Sequence, residues 1–313
     1  MKRILVVSSG RADASPLRPV VEALGDMVCA SPDLGEAAPY QAVSIIEDDI
    51  ESFEPDVMLV LGDRFEILGA CLAATHARIP IAHIHGGEAS FGSFDNQIRD
   101  AITKLAHIHF VAAEPMRERL LALGEEPHRI HVTGAPGLDN LVTTMNMPRK
   151  RGNFFLVTYH PPTLSQPNVG ALIAALRRFS SSYGVALSKS NNDPGGAEID
   201  RIFFDAGFRE VKHEYIHSMR NCAVVVGNSS SGIIEAPYLE VPTVNIGPRQ
   251  DGRLKGRSII DCPEDADAIE QAILKALKYD GPYDRLYGEP GGSQKIADIL
   301  KDWQPDMVKR WPS

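Results

Sequence analysis

Residues 57–88 read VMLVLGDRFEILGACLAATHARIPIAHIHGGE, and the fold can be read outward from this stretch. An apolar run from Val57 to Leu61 ends at Gly62 and an acid, Asp63. A helical stretch from Glu66 to Ala77 follows, and a second apolar run, Ile81 to Ile84, ends at His85, Gly86, Gly87 and Glu88. Runs with no polar alternation are strands buried on both faces, and strands joined by helices lie parallel. The same grammar extends both ways, with strands at Ile4–Val7, His107–Val111 and Arg129–Val132 and helices at Pro16–Leu24, Gln97–Leu105 and Pro115–Leu123.

MNMPRKRGN, Met145 to Asn153, is a polar break containing Pro and Gly and reads as an inter-domain linker. Beyond it the pattern resumes. Strands are expected at Phe154–Thr158, Val185–Ser188, Cys222–Val226 and Thr243–Ile246, and helices near Val169–Ser181, Gly232–Tyr238 and Asp265–Leu277. One more helix is expected over Gly292–Trp303. The fold class is therefore α/β: two doubly wound Rossmann-like domains, 1–147 and 148–313, facing a central cleft, with the last helix packing back on the first domain. Such sheets take ligands at the carboxyl ends of their strands.

Composition narrows the function. At 313 residues the chain exceeds the usual size of a single core. A net charge of −9 argues against a nucleic-acid partner, which wants a basic face. Cys29, Cys71, Cys222 and Cys262 are far apart and suggest neither a zinc site nor a disulfide framework. The chain opens directly on a strand, KRILVVSS, with no cleavable leader, and its apolar runs fall short of the roughly 20 residues a membrane span needs. A cytoplasmic protein without membrane contact is expected.

Five segments at strand ends carry the chemistry, and each has a plain structural reading beside it. SSGRAD (Ser8–Asp13) offers Arg11 to a phosphate or sugar hydroxyl, or is a turn with Asp13 as a helix cap. GDRFE puts Asp63 where a base or a hydroxyl ligand belongs, although an N-cap aspartate serves the position as well. HIHGGE ends in Glu88 and leads into SFGSFDNQIRDAITK, where Asp95, Arg99 and Thr103 share one helical face. There the alternative is a solvated, charge-laced face, and His83 and His85 read as strand packing rather than metal ligands. TYHP places His160 at the end of a strand of the second half, as a phosphate donor or a satisfied loop histidine. GNSSSGIIEAP (Gly227–Pro237) is the most specific signal. Ser229, Ser230, Ser231 and Gly232 precede a helix whose N–H groups favour phosphate, and Glu235 can take two ribose hydroxyls; the plain reading is a Ser N-cap with a first-turn Glu, a capping-box-like start.

Together these residues resemble the UDP-N-acetylglucosamine 2-epimerase family of GT-B-like enzymes, and GDRFE with HIHGGE resembles its hydrolysing branch, which forms N-acetylmannosamine or related sugars for sialic-acid-type biosynthesis. The resemblance runs from SSGRAD to NIGPRQDGR (Asn245–Arg253). It implies catalytic roles for Asp63, Glu88 and Asp95, and substrate or nucleotide contacts for Arg11, Arg99, His160, Asn191, Asp193, Ser229, Ser230, Ser231, Glu235 and Arg249. The implied reaction removes the hydrogen at sugar carbon 2, with Glu88 as base, while the nucleoside diphosphate leaves carbon 1. Asp63 and Asp95 then assist hydration of the resulting glycal. No metal or redox cofactor is implied, and a homo-oligomer, dimer or tetramer, is. Asp100 departs from the family pattern, which usually has a histidine after the arginine. The competing expectations are a non-hydrolysing epimerase or glycosyltransferase on the same fold, or a catalytically weakened sugar-nucleotide-binding protein.

Overall fold

The computed structural model describes residues 1–35, 37–191, 193–210 and 215–310, and the backbone alone at Arg11 and Ala12. The chain divides into two compact units. One comprises Met1–Ala89, Asp95–Asn140 and Tyr287–Ser313; the other comprises Ser90–Phe94 and Leu141–Leu286.

The first unit is a parallel sheet of β1 (Ile4–Val7), β2 (Val28–Ala30), β3 (Val57–Leu61), β4 (Ile81–Ile84), β5 (Ile108–Val111) and β6 (Ile130–Val132), in the order β2-β1-β3-β4-β5-β6. Its helices are α1 (Arg11–Leu24), α2 (Pro39–Phe53), α3 (Phe65–His76), α4 (Asp95–Leu105) and α5 (Glu114–Ala122), with the final helix Gly292–Asp302 joining them. Strand residues alternate between two apolar layers, as the pleat requires. Ile4, Val6, Val57 and Leu59 pack on α1 and the final helix through Leu17, Val20, Ile296 and Leu300. Leu5, Val7, Met58 and Val60 pack on α2, α3 and α4 through Ala42, Ile46, Ile67, Cys71 and Ile102.

The sequence reading contained neither β2 nor α2. The start of α2 has no Ser, Thr, Asp or Asn cap; Pro39 opens it, and Gln41 reaches back to accept from the Ala38 N–H at 2.8 Å. Its partner α3 lies very close. A Cβ on Gly69 would fall 2.3 Å from the Pro39 carbonyl oxygen, so only glycine allows this crossing.

The second unit is a parallel sheet of β7 (Phe154–Thr158), β8 (Gly184–Leu187), β9 (Val224–Gly227), β10 (Thr243–Ile246) and β11 (Ile259–Cys262), in the order β11-β10-β9-β7-β8. Helices α6 (Val142–Met145), α7 (Val169–Arg177), α8 (Gly196–Asp205), α9 (Tyr215–Asn221), α10 (Ser231–Ile234) and α11 (Ala266–Leu277) complete it. Its core gathers Phe155, Val157, Leu172, Leu176, Phe203, Val224, Val226, Ile269 and Ile273. Elements α6, α8, α9 and β11 were not anticipated. The helix expected over Gly232–Tyr238 is a four-residue α-turn, Ser231–Ile234, followed by a 3-10 turn, Ala236–Leu239. Pro237 has no N–H to continue the α-ladder, which ends it there.

Both sheets are doubly wound with one reversal of winding each. In the first unit it lies between β1 and β3, and in the second between β7 and β9. Ligands of doubly wound sheets bind outside the strand ends at this switch point.

Candidate active site

In the first unit the acids gather at the carboxyl ends of β3 and β4. Arg99 of α4 is only 1% exposed, which overturns the reading of α4 as a solvated charged face. Its Nη2 donates to Asp63 Oδ2, and its Nη1 donates to the Glu88 carbonyl at 2.9 Å. One buried cation thus ties GDRFE to HIHGGE, and burying it is tolerable only because both arms are satisfied. His85 has a left-handed backbone, φ 66°, rare for a residue with a Cβ. That conformation turns its Nδ1 to within 2.6 Å of Glu88 Oε1, and Glu88 is 3% exposed. The next turn needs Gly87, where a Cβ would lie 2.4 Å from the Met116 carbonyl oxygen.

His83 serves packing. Its Nε2 donates to the Gly62 carbonyl at 2.8 Å, and burial pulls its pKa down to about 3, so the ring is neutral. Asp95 opens α4, half-buried, one turn before Arg99. Asp100 is paired with Arg119 of α5 at 3.1 Å. Asp13, read from sequence as a helix cap, lies within the first turn of α1 and accepts from the Ser9 N–H at 3.3 Å and from Ser9 Oγ. It is 6% exposed, and burial raises its pKa. A Cβ on Gly62 would stand 3.9 Å from its Oδ1, so Asp13 lines the β1–β3 switch point beside Asp63. The side chain of Arg11 lies outside the described residues.

In the second unit the loops after β7 and β9 are joined by Asn228. Its Oδ1 accepts from the His160 N–H at 2.7 Å, and its Nδ2 donates to the His160 carbonyl at 2.8 Å. The Asn228 carbonyl accepts from Arg249 Nη1 at 3.2 Å and Gln250 Nε2 at 2.8 Å. The Asn191 N–H donates to His160 Nδ1 at 3.1 Å, which fixes the tautomer carrying its proton on Nε2, the form that donates to an anion. Asn191 Nδ2 in turn donates to the Asp193 carboxylate. Four hydroxyls form a chain: Thr158 Oγ1 to Tyr215 OH at 3.1 Å, Tyr215 OH to Ser231 Oγ at 2.6 Å, and Ser231 Oγ to Ser229 Oγ at 2.9 Å. Burial pushes the Tyr215 pKa up to about 12, so it stays a phenol. Ser230 stands at the N-cap position of α10 without a side-chain capping bond, and Glu235, half-buried, closes the helix with its N–H on the Ser231 carbonyl at 3.0 Å. Because α10 is four residues long it brings little macrodipole, and the polar groups at this strand end are the loop's own N–H and hydroxyl groups.

Ser90–Phe94, between the Glu88 loop and Asp95, belong to this second unit. The Phe91 N–H donates to the Asp251 carbonyl at 2.8 Å, Ser93 Oγ lies 2.9 Å from Thr163 Oγ1, and a Cβ on Gly92 would be 1.9 Å from the Pro248 carbonyl oxygen. Among the described residues no group of three or more His, Cys, Asp or Glu is placed to hold a metal, and no helix is long and apolar enough to cross a membrane.

Sequence reasoning missed Asn228, Tyr215, Arg119 and the His85–Glu88 contact. Asn228 is the polar residue of GNSSSG directly after a buried strand, and His85 stands three residues before Glu88 inside HIHGGE; Arg119 and Tyr215 carry no local signal.

The fold defines a class, the doubly wound two-unit proteins that place ligands at strand ends. Within it, the UDP-N-acetylglucosamine 2-epimerase family model matches residues 36–301, and the chain belongs to that family. It is 37% identical over 272 residues to the hydrolysing UDP-N,N'-diacetylbacillosamine 2-epimerase of Legionella pneumophila, covering 80% of this chain and 72% of that protein. A polysialic acid biosynthesis protein of Escherichia coli is 36% identical over 70% of this chain and 61% of its own length. The hydrolysing GDP/UDP-N,N'-diacetylbacillosamine 2-epimerase of Campylobacter jejuni is 33% identical over 75% of this chain and 66% of its own. The chain thus spans about two thirds of the length of these relatives. Two solved structures share the fold: the S. aureus MnaA–UDP co-structure, with TM-score 0.80, 17% identity and 96% of each chain covered, and the Neisseria meningitidis UDP-GlcNAc 2-epimerase bound to UDP-GlcNAc, with TM-score 0.77, 17% identity and 96% and 99% covered.

Proposed function

We propose that this chain is a hydrolysing 2-epimerase acting on a UDP-N-acetylhexosamine, either UDP-N-acetylglucosamine or a derivative with a second acetamido group such as the one named for the Legionella relative. The observation that carries this reading is the buried Arg99, which draws the Asp63 carboxylate and the Glu88 loop together beside a switch point. Glu88, oriented by His85, removes the hydrogen at carbon 2 while UDP departs from carbon 1. Asp63 and Asp95 manage the proton and water that add across the glycal, giving free 2-epimeric sugar and UDP. His160, Asn191, Asp193, Ser229, Ser230, Ser231, Glu235, Arg249 and Arg11 hold the nucleotide and steady its leaving charge.

The test is incubation with UDP-N-acetylglucosamine, and with its diacetamido analogue, in deuterated water followed by proton NMR. The reading expects free 2-epimeric sugar bearing deuterium at carbon 2, plus UDP. A UDP-linked epimer, or UDP binding with no turnover of either sugar nucleotide, would refute it.

The protein is further proposed to work in the cytoplasm as a homo-oligomer. Supporting the second point, α2 and α3 leave Tyr40, Phe65 and Leu72 76%, 49% and 50% exposed on neighbouring helices. Light scattering should find a dimer or larger; a monomer at micromolar concentration would contradict it.

A further inference from the structure

The guanidinium of Arg119, on α5, is shared between the Glu88 loop and α4. Its Nη1 donates to the Glu88 carbonyl at 3.0 Å, while its Nη2 donates to Asn96 Oδ1 at 3.2 Å and to the two Asp100 carboxylate oxygens at 3.4 and 3.1 Å. The side chains of Arg119 and Asp100 are 23% and 29% exposed, so water competes for the pair only in part. The Glu88 carbonyl therefore accepts from two cations, Arg99 at 2.9 Å and Arg119 at 3.0 Å. Asp63 balances the first and Asp100 the second. The backbone of α5 bears on the same loop, since Gly87 abuts the Met116 carbonyl.

We propose that Arg119 is a positioning residue for Glu88, and that Asp100 is its counter-charge on α4. Through this pair the loop carrying Glu88 is held at a fixed spacing from the helix that Asp95 opens. Asp100 then acts on Arg119 and not on the reacting sugar, which accounts for a carboxylate being placed so close to the catalytic acids. The inference rests on the reading of Glu88 as the base, and it concerns geometry: a shift of about 1 Å in a catalytic group can cost a hundredfold in rate.

The test compares Arg119→Met, Arg119→Lys, Asp100→Asn and the Arg119→Met/Asp100→Asn double variant with Glu88→Gln, all as full chains. Turnover of UDP-N-acetylglucosamine and its diacetamido analogue, UDP affinity and amide hydrogen exchange over residues 86–90 are measured. Arg119→Met should lower kcat about tenfold to a hundredfold with UDP affinity and thermal midpoint unchanged. Added guanidinium and the lysine variant should each restore part of the rate. Asp100→Asn should cost less, and the double variant should be no slower than Arg119→Met alone. Amide exchange over 86–90 should rise about tenfold in Arg119→Met whichever sugar is turned over. Wild-type kcat and wild-type exchange in Arg119→Met, beside an inactive Glu88→Gln, would overturn the positioning role alone. Full activity in Glu88→Gln would take down the reading of Glu88, and this inference with it.

Discussion

Arg99 joins the two acidic motifs of the first unit, and its environment sets what its loss would do. Removing it leaves Asp63 without its cation and takes one of two donors from the Glu88 carbonyl. Breaking a buried pair on one side costs about 3–5 kcal/mol. Arg99→Met is therefore expected to lower the urea midpoint clearly and to abolish most turnover. Glu88→Gln differs: the fold keeps its cations, and kcat should fall about a hundredfold or more while calorimetry finds UDP affinity intact. If UDP binding fell as far as kcat, Glu88 would be a nucleotide ligand rather than a base. Asp63, Glu88 and Asp95 stood out in the sequence because each follows a strand or starts a helix. The partners that give them direction did not: Arg119 lies on another element, which leaves no spacing to read, and His85, three residues before Glu88, meets it through a left-handed backbone that no residue type announces.

At the level of elements, loops that leave a strand in each unit turn where glycine alone fits, at Gly87 in the first and Gly227 in the second. Gly227 ends β9 with φ 145°, and a Cβ there would lie 1.9 Å from the Thr158 carbonyl oxygen on β7. Gly227→Ala should cost more than about 2 kcal/mol, through overpacking and an unfavourable φ together. Urea denaturation checks this, and an unchanged midpoint would mean that β7 and β9 can part without penalty. The hydroxyl chain after β9 is a finer device. Tyr215→Phe removes the link between Thr158 and Ser231, so UDP affinity should weaken roughly fivefold, the worth of about one hydrogen bond. Unaltered calorimetric affinity would separate that chain from nucleotide binding. The GNSSSG loop stood out in the sequence as a candidate anion cradle from its small and hydroxyl residues. Its helix was overestimated because Pro237 cuts the α-ladder, and Tyr215 is about a dozen residues upstream with no motif linking it to the loop.

For the whole molecule, buried histidines of the first unit should govern acid stability. Burial lowers His83 to about 3 and His107 to about 4, against about 6.5 in the unfolded chain. Between about pH 6.5 and 4 the unfolded chain binds protons that the folded chain refuses, so stability is whole above this window and falls as pH drops. The slope is about 1.4 kcal/mol per pH unit for each histidine. Glu125, held down to about 2 by His109, Lys309 and Lys104 against the cost of its burial, adds loss in the same direction below its unfolded value. Urea midpoints at pH 7.5, 6 and 5 should decline steeply, and a His83→Gln/His107→Gln double variant should flatten the decline; an equal slope in both proteins would locate the acid sensitivity elsewhere. By itself the sequence determined the parallel α/β class, most strands and the acids at their ends, because unbroken apolar runs and strand-end turns are local signals. It left β2, α2, α6, α8, α9 and β11 unseen, since short, weakly capped or partly exposed elements are stabilised mainly by what they pack against. Only the tertiary structure decided that Arg99 is buried, that Asp100 answers to Arg119, and that Asn228 holds His160. Each is a pairing between residues distant in the chain, and burial and hydrogen-bond geometry exist only once the sheet has brought them together.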